Sequence, residues 1–377
     1  MNENKVLIIS PKNRTIYNFR AELIQELQTR GYEVFVTGPD YCEIEKVNVL
    51  GVKFILIPMK KNGLNIIEDV QYFFALIKQI KRIKPDIAFG YTIKPVIYGS
   101  IAARLCKVPN ISMMITGLGY VFVGKDIKAR LLRFLIHPLY KLGLHSTDNV
   151  IFQNPDDLSQ FLEFGLVRNK QCKLVNGSGV DLGKFSFTDK FPEAITFFML
   201  ARIVRSKGVI EYLESAKIIK SKYPHVKFIL LGSLEKLPDS ISEDLLNIYI
   251  RDKVISFHGE SDKISGYYRA CSVFVLPSYR EGTPRTVLEA MATGRPIITT
   301  DTPGCRETVI NGYNGFLVPI QDITALTSKM EWFVNNSEKL SVMGRNSYEL
   351  CKEKFDVNKV NLEMIKSFGI KKGCNYV

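Results

Sequence analysis

Glu281 and Glu289 stand eight residues apart in EGTPRTVLE, immediately after the apolar run SVFVLPS. The spacing predicts a loop opening into a helix. Thr283 can cap it, Pro284 suits its first position, and the free backbone N–H groups of a first turn offer a place for a phosphate. Glu281 then lies in the loop beside that phosphate. Glu289 lies about a turn and a half along the helix, where a carboxylate can accept two hydrogen bonds from vicinal hydroxyls such as those of a ribose. One carboxylate is left for a sugar and one for a nucleoside. A second constellation, Arg202 and Lys207 in ARIVRSKGV, follows the apolar run ITFFML. Two cations at a strand end, leading into a helix whose N-terminus also favours anions, can hold an anion such as a phosphate.

Other motifs are weaker. Residues 119–126, GYVFVGKD, come within one residue of a P-loop, but Asp126 stands where Ser or Thr would coordinate magnesium and places an anion next to the phosphates. No two aspartates lie two residues apart, so a D-x-D metal site is absent. The histidines, 137, 145, 225 and 258, lie away from these motifs and read as surface or packing residues. The segment IKARLLRFLIHPLYKLGLH predicts a helix with Arg130, Arg133, His137 and Lys141 on one arc and Leu131, Leu135, Leu139 and Leu142 largely opposite, kinked at Pro138. Arg130, Arg133 and Lys141 are candidates for docking on an anionic membrane; the plain alternative is a core helix with a solvated basic face.

The elements that must position these residues alternate strand and helix. KVLII, EVFVT, KFILI, DIAFG and NISMMI are separated by helical segments, including one near 65–82 and one near 95–106. After VIFQ, a helix and the Gly-rich KLVNGSGVDLGKF, a second series runs through ITFFML, a helix at about 207–221, VKFILLG, VISFHG, SVFVLPS and PIITT. Such alternation gives parallel sheets covered by helices, with ligands at the carboxyl ends of the strands. Length and composition, 377 residues with 46% apolar and 24% charged, fit two globular domains. No run approaches the roughly 18 apolar residues of a membrane span, and no signal-peptide pattern is present. The seven scattered cysteines indicate neither a disulfide framework nor a zinc site. Residues 1–185 hold 25 Lys and Arg against 16 Asp and Glu, which is +9 of the total +13 and suits an anionic partner.

Taken alone, Glu281 and Glu289 would read as part of an ordinary helix with an Arg285–Glu289 surface pair, worth roughly a few tenths of a kcal/mol, and Arg202 and Lys207 as a solvated basic turn. The continuation AMATGRPIITTDTPGCRETVINGYNGFLVP decides otherwise. With it the chain resembles the family 4 glycosyltransferases, most nearly capsule and O-antigen enzymes and N-acetylgalactosaminyltransferases that extend undecaprenyl-diphosphate-linked sugars. The likeness covers nearly the whole chain and is most specific from about 197 to 320.

The resemblance implies an α/β GT-B architecture of two Rossmann-like, doubly wound parallel-sheet domains facing a cleft: 1–185 for the acceptor, 186–345 for the nucleotide sugar, and 346–377 as a terminal helix returning to the first domain. It implies donor binding by Arg202, Lys207, Glu260, Glu281, Gly282, Thr283, Pro284 and Glu289, with retention of anomeric configuration and Glu281 positioning the sugar ring. SPKNRTIYNFR from Ser10, YTIKP from Tyr91 and TGLGYVF from Thr116 match loops that line the cleft, which makes Asn18, Arg20, Lys94 and Thr116 the acceptor-side candidates. Many family members carry His where this chain has Thr116, so no general-base histidine is assigned.

The expected reaction moves a hexose or N-acetylhexosamine from a UDP-sugar to a polyprenyl-diphosphate-linked saccharide. It is expected in the cytoplasm, with the enzyme peripheral on the anionic inner face of the cell membrane, and needs neither cofactor nor metal. A UDP-sugar 2-epimerase of the same fold would need acid and base groups that are not identifiable. A nucleic-acid-binding protein would rest on the charge alone, with no recognised motif, and no specific nucleic acid is expected.

Overall fold

Short apolar runs rich in β-branched and aromatic residues form the central strands, and because these runs are buried on both faces they need helices above and below them. The computed structural model describes residues 4–60, 65–118, 127–235 and 237–370. The P-loop-like stretch 119–126 lies outside the described residues. Two compact units result: unit 1 is Met1–Ser178 with Asn358–Val377, and unit 2 is Gly179–Val357.

Unit 1 contains β1 (Asn4–Ile9), β2 (Tyr32–Gly38), β3 (Lys53–Leu56), β4 (Ile87–Tyr91), β5 (Asn110–Ile115), β6 (Asn149–Phe152) and β7 (Cys172–Leu174). They lie in the order β3-β2-β1-β4-β5-β6-β7, each pair parallel. One face is covered by the helix Ile66–Ile83 through Tyr72, Leu76 and Ile80, and by the helix Ile127–His145 through Ile136, Tyr140 and Leu144. The other face receives Leu23, Ile24 and Leu27, together with Val360, Met364 and Ile365 of the terminal helix Val357–Ser367. Asn110 Nδ2 donates to the Phe368 carbonyl at 2.9 Å, fastening the end of that helix to β5.

Unit 2 contains β8 (Thr196–Leu200), β9 (Lys227–Leu231), β10 (Ser256–Phe257), β11 (Val273–Leu276), β12 (Ile297–Thr300) and β13 (Gly315–Val318), in the order β10-β9-β8-β11-β12-β13, again all parallel. Each sheet therefore sets its first and fourth strands side by side. The connections leaving those neighbours run to opposite sides, which opens a crevice at their carboxyl ends.

The expected junctions at 185/186 and 345/346 are not where the chain passes between the units. The Val180 N–H donates to the Phe355 carbonyl at 2.9 Å and the Val357 N–H to the Val180 carbonyl at 3.1 Å, so the stretch after Gly179 is built into unit 2. The helix Leu340–Lys354 runs through position 346 and buries Met343 and Cys351 in the core of the same unit. Near 95–106, where one helix was expected, Pro95–Gly99 forms a π-helical turn that continues as the α-helix Ser100–Leu105.

Candidate active site

Three loops meet at the crevice of unit 2. The first follows β8: Arg202 comes two residues after the strand, Arg205–Lys207 forms a 3-10 turn, and Gly208 at φ +75° lets the chain enter the helix Val209–Lys222. A Cβ on Gly208 would stand 2.1 Å from the Pro277 carbonyl oxygen, so the turn lies directly on the second loop. That loop follows β11 and is stitched back: the Tyr279 N–H donates to the Ser206 carbonyl at 2.9 Å, and Tyr279 Oη to Glu211 Oε1 at 2.7 Å. Burial, together with its hydrogen bond to Glu211, pushes the Tyr279 phenol up to about 12. The third loop follows β12; Gly304, at φ +78°, would with a Cβ come within 2.3 Å of the Gly282 carbonyl and 2.5 Å of the Glu281 carbonyl.

This framework brings Lys207 and Glu281 into an ion pair between Lys207 Nζ and Glu281 Oε1, both side chains largely buried. Arg202 is exposed and reaches Glu235 only at 3.6 Å. Glu260 is exposed just past β10, next to Gly259. The helix after the second loop is Arg285–Ala292, one residue later than expected. Pro284 has ψ 106°, outside the helical region, and so stands at the cap position, while the Thr283 hydroxyl donates to the Gly282 carbonyl at 3.0 Å. Glu289 is buried on this helix. Its Oε2 accepts from Tyr268 Oη at 2.9 Å, and its Oε1 faces Arg285 Nε at 3.4 Å. Burial holds its carboxyl above the ordinary range, against the opposing pull of Arg285 and Tyr268.

The arrangement can hold an anion on Lys207 and Arg202, a hydroxylated ring on Glu281 and a second polyol on Glu289. Among the described residues, no three His, Cys, Asp or Glu side chains gather as a metal site requires.

The family model for glycosyl transferases group 1 matches residues 184–350, and that for glycosyl transferase 4-like proteins matches residues 5–154. The N,N'-diacetylbacillosaminyl-diphospho-undecaprenol alpha-1,3-N-acetylgalactosaminyltransferase of Campylobacter jejuni is 30% identical over 91% of this chain and 93% of its own length. The chain belongs to the family 4 glycosyltransferases. It is also 26% identical to the UDP-Gal:alpha-D-GlcNAc-diphosphoundecaprenol alpha-1,3-galactosyltransferase of Escherichia coli, over 82% of this chain and 81% of the other. Among solved structures, sucrose-phosphate synthase from Thermosynechococcus elongatus has the same GT-B fold, with a TM-score of 0.79 at 20% identity, covering 96% of this chain and 98% of the other.

In unit 1 of this glycosyltransferase the acceptor-side candidates follow β1, β4 and β5, but they do not share one role. Asn18 and Thr116 are half-buried. Arg20 is 3% exposed: its guanidinium lies 4.9 Å from the Tyr91 ring centroid and 5.5 Å from that of Phe89, with Nη2 at 2.9 Å from Met114 Sδ. It is a packing cation and presents no surface to an acceptor, because it sits between two short helices that press it onto the sheet. Lys94 is likewise drawn inward, pairing at 2.6 Å with Asp69 in the first turn of the helix Ile66–Ile83. Tyr98 Oη donates to the other Asp69 oxygen at 3.1 Å.

The helix Ile127–His145 differs from expectation in which face it buries. Leu131, Leu139 and Leu142 are exposed, while Ile136, Tyr140 and Leu144 supply the core contact. Arg130 and Lys141 are exposed and Arg133 is half-buried, while His137 Nε2 lies 3.1 Å from the Phe164 carbonyl oxygen. The leucines are numerous enough to suggest a core stripe, but the π-helical turn Pro95–Gly99 meets this helix on another side, where Gly143 lies close enough that a Cβ would touch Ile97 at 3.0 Å.

Tyr268, Tyr279, Glu211 and Gly304 were not singled out from the sequence. A TPG tripeptide signals a turn at Gly304. Nothing local signals that Tyr268 meets Glu289, 21 residues away.

Proposed function

We propose that this glycosyltransferase moves a hexose or N-acetylhexosamine, with N-acetylgalactosamine favoured, from a UDP-sugar to a polyprenyl-diphosphate-linked saccharide during assembly of bacterial surface polysaccharide. The observation that carries the reading is the Lys207–Glu281 ion pair at the crevice of the unit 2 sheet, a cation suited to a diphosphate set against a carboxylate suited to sugar hydroxyls. The substrates named for the Campylobacter jejuni and Escherichia coli relatives support both the donor class and the lipid-linked acceptor.

In this reading Lys207 exchanges Glu281 for the arriving diphosphate, and Arg202 adds a second cation. Glu281, released, accepts from hydroxyls of the transferred ring, while Glu289 takes the ribose hydroxyls. The bond from the anomeric carbon to the phosphate oxygen breaks as the bond to the acceptor oxygen forms on the same face, giving retention, and the acceptor hydroxyl's proton passes to the departing phosphate oxygen. The two cations stabilise the charge that collects on the departing diphosphate, the term that most lowers such a barrier. No metal is required for that role. The acceptor saccharide is assigned to the carboxyl edge of unit 1, near Thr116, and its lipid places the reaction at the inner face of the cell membrane.

A panel of UDP-sugars offered with an undecaprenyl-diphosphate-linked acceptor tests this. One donor is expected to be turned over, in EDTA as well as in magnesium, to a product whose anomeric configuration matches the donor's. Complete loss in EDTA with rescue by magnesium or manganese overturns the metal-free mechanism, an inverted product overturns retention, and turnover of no UDP-sugar overturns the donor.

A further inference from the structure

Two helices of unit 1 are apolar on the side that faces water. On the helix Ile66–Ile83, Ile66 is 80% exposed, Ile67 70% and Phe74 62%; on the helix Ile127–His145, Leu131 is 60% and Phe134 77%. Val70 and Leu142 extend the two stripes. Both helices pack on the same face of the sheet, flanking the turn and helix Pro95–Leu105, so their outer sides look the same way. Each is a crossover helix from one parallel strand to the next, β3 to β4 and β5 to β6, and therefore runs against the strands. Its first turns lie toward the carboxyl edge, with Ile66, Ile67 and Val70 on one helix and Leu131 and Phe134 on the other, either side of the segment Pro95–Leu105.

The fully exposed charges described on these two helices are basic. Farther along the first helix the exposed positions become Lys78, Lys81 and Arg82, and the second helix exposes Arg130 and Lys141 and contains no acidic residue. The two acids on the first helix are both engaged: Asp69 is buried against Lys94, and Glu68 pairs with Lys60 at 2.6 Å. Among the described residues of these two helices, the apolar strip is bordered by exposed cations while both acids are paired, which matches an anionic phospholipid surface, whose acyl boundary takes the strip and whose headgroups take the cations.

We propose that the outer faces of these two helices form one docking surface that seats unit 1 on an anionic bilayer with its ligand edge at the lipid. The proposal rests on the lipid-linked acceptor of the preceding reading. The surface is wider than the basic arc Arg130, Arg133 and Lys141, and its centre is apolar.

Co-sedimentation of the full chain with phosphatidylglycerol-containing vesicles, and with pure phosphatidylcholine vesicles, tests it. The parent is expected to sediment with the first and weakly with the second. Ile67→Glu combined with Phe74→Glu should weaken binding about a hundredfold, because two large apolar side chains no longer insert. Arg130→Ala with Lys141→Ala should weaken it about thirtyfold, and only on the anionic vesicles. Calorimetric affinity for UDP and the unfolding temperature should stay at parental values in both.

A parent that does not sediment, or a Glu double variant that sediments like the parent, overturns the surface. So does a parental dimer that becomes a monomer in the Glu variant, which makes the strip an interface between copies. A parent that glycosylates a polyprenyl-diphosphate acceptor without binding vesicles loses the docking surface and keeps the acceptor reading. Vesicle binding without transfer to any such acceptor overturns the acceptor reading.

Discussion

The two sheets share the order of their first six strands, yet they treat charge at the crevice in opposite ways. In unit 2, Lys207 and Glu281 pair with each other on adjacent loops, and Arg202 remains in solvent. In unit 1, the cations that follow the corresponding strands are turned inward: Arg20, between two helices after β1, lies against two aromatic rings, and Lys94, after β4, is buried against Asp69. Equal topology therefore does not give equal chemistry. A cation whose partner is another ligand-edge side chain can exchange it for a substrate, whereas a cation whose partner is buried in its own core holds the scaffold.

The contrast is sharpest where its expected effect is largest. Lys94→Ala strands a buried carboxylate and is expected to destabilise the protein by about 3–5 kcal/mol while leaving UDP affinity unchanged. Denaturant unfolding alongside UDP calorimetry checks it, and lost UDP affinity without lost stability would erase the distinction between the units. Gly304→Ala comes next. It drives a Cβ against the Glu281 and Gly282 carbonyls, and moving Glu281 by an ångström should cost about a hundredfold in transfer, measured as kcat/KM with the donor varied.

Tyr268→Phe removes a hydroxyl that donates to Glu289 and should weaken UDP about tenfold without touching unit 1. Glu289 itself links donor binding to pH. Burial raises its carboxyl, so the folded protein holds a proton that the unfolded chain has already released. The stability this group contributes is full below the unfolded value, near 4.5, and is lost as pH rises through the folded value. Glu289→Gln is accordingly expected to raise the unfolding temperature at neutral pH, with the gain vanishing in acid, while it weakens UDP; calorimetric scans across pH read both. Smallest is Arg202→Ala. Its surface pair with Glu235 should contribute less than about 1 kcal/mol to stability, so the change should appear only as a several-fold loss of UDP affinity.

Much of unit 2 was legible in the sequence because its chemistry is local. The E-x7-E and R-x4-K spacings each lie within one loop-to-helix junction, and the apolar runs before them are strands in the structure. What was missed depends on distant partners. That Lys207 meets Glu281 follows from β8 and β11 lying side by side, a fact of sheet order. In unit 1, Arg20 and Lys94 have the composition of ligand-edge residues, and only the packing of Phe89, Tyr91 and Asp69 shows otherwise. The helix Ile127–His145 misled for a related reason. Its periodicity gives an apolar stripe, but periodicity cannot say whether the sheet or the surroundings will take it.

Unit 2 also contains a fully buried arginine with main-chain partners. Arg295 Nη1 donates to the Lys190 and Cys271 carbonyls, each at 3.0 Å, and Nη2 to the Thr188 carbonyl at 2.9 Å, with the guanidinium 4.3 Å from the Phe191 ring centroid. Two of those three carbonyls belong to the strandless stretch before β8, which looks dispensable if the unit is taken to begin at its first strand. Cutting there would leave a buried cation facing emptied acceptor positions. A fragment meant to carry donor binding on its own should therefore begin near Gly179, where the chain enters the unit, and run to Val357.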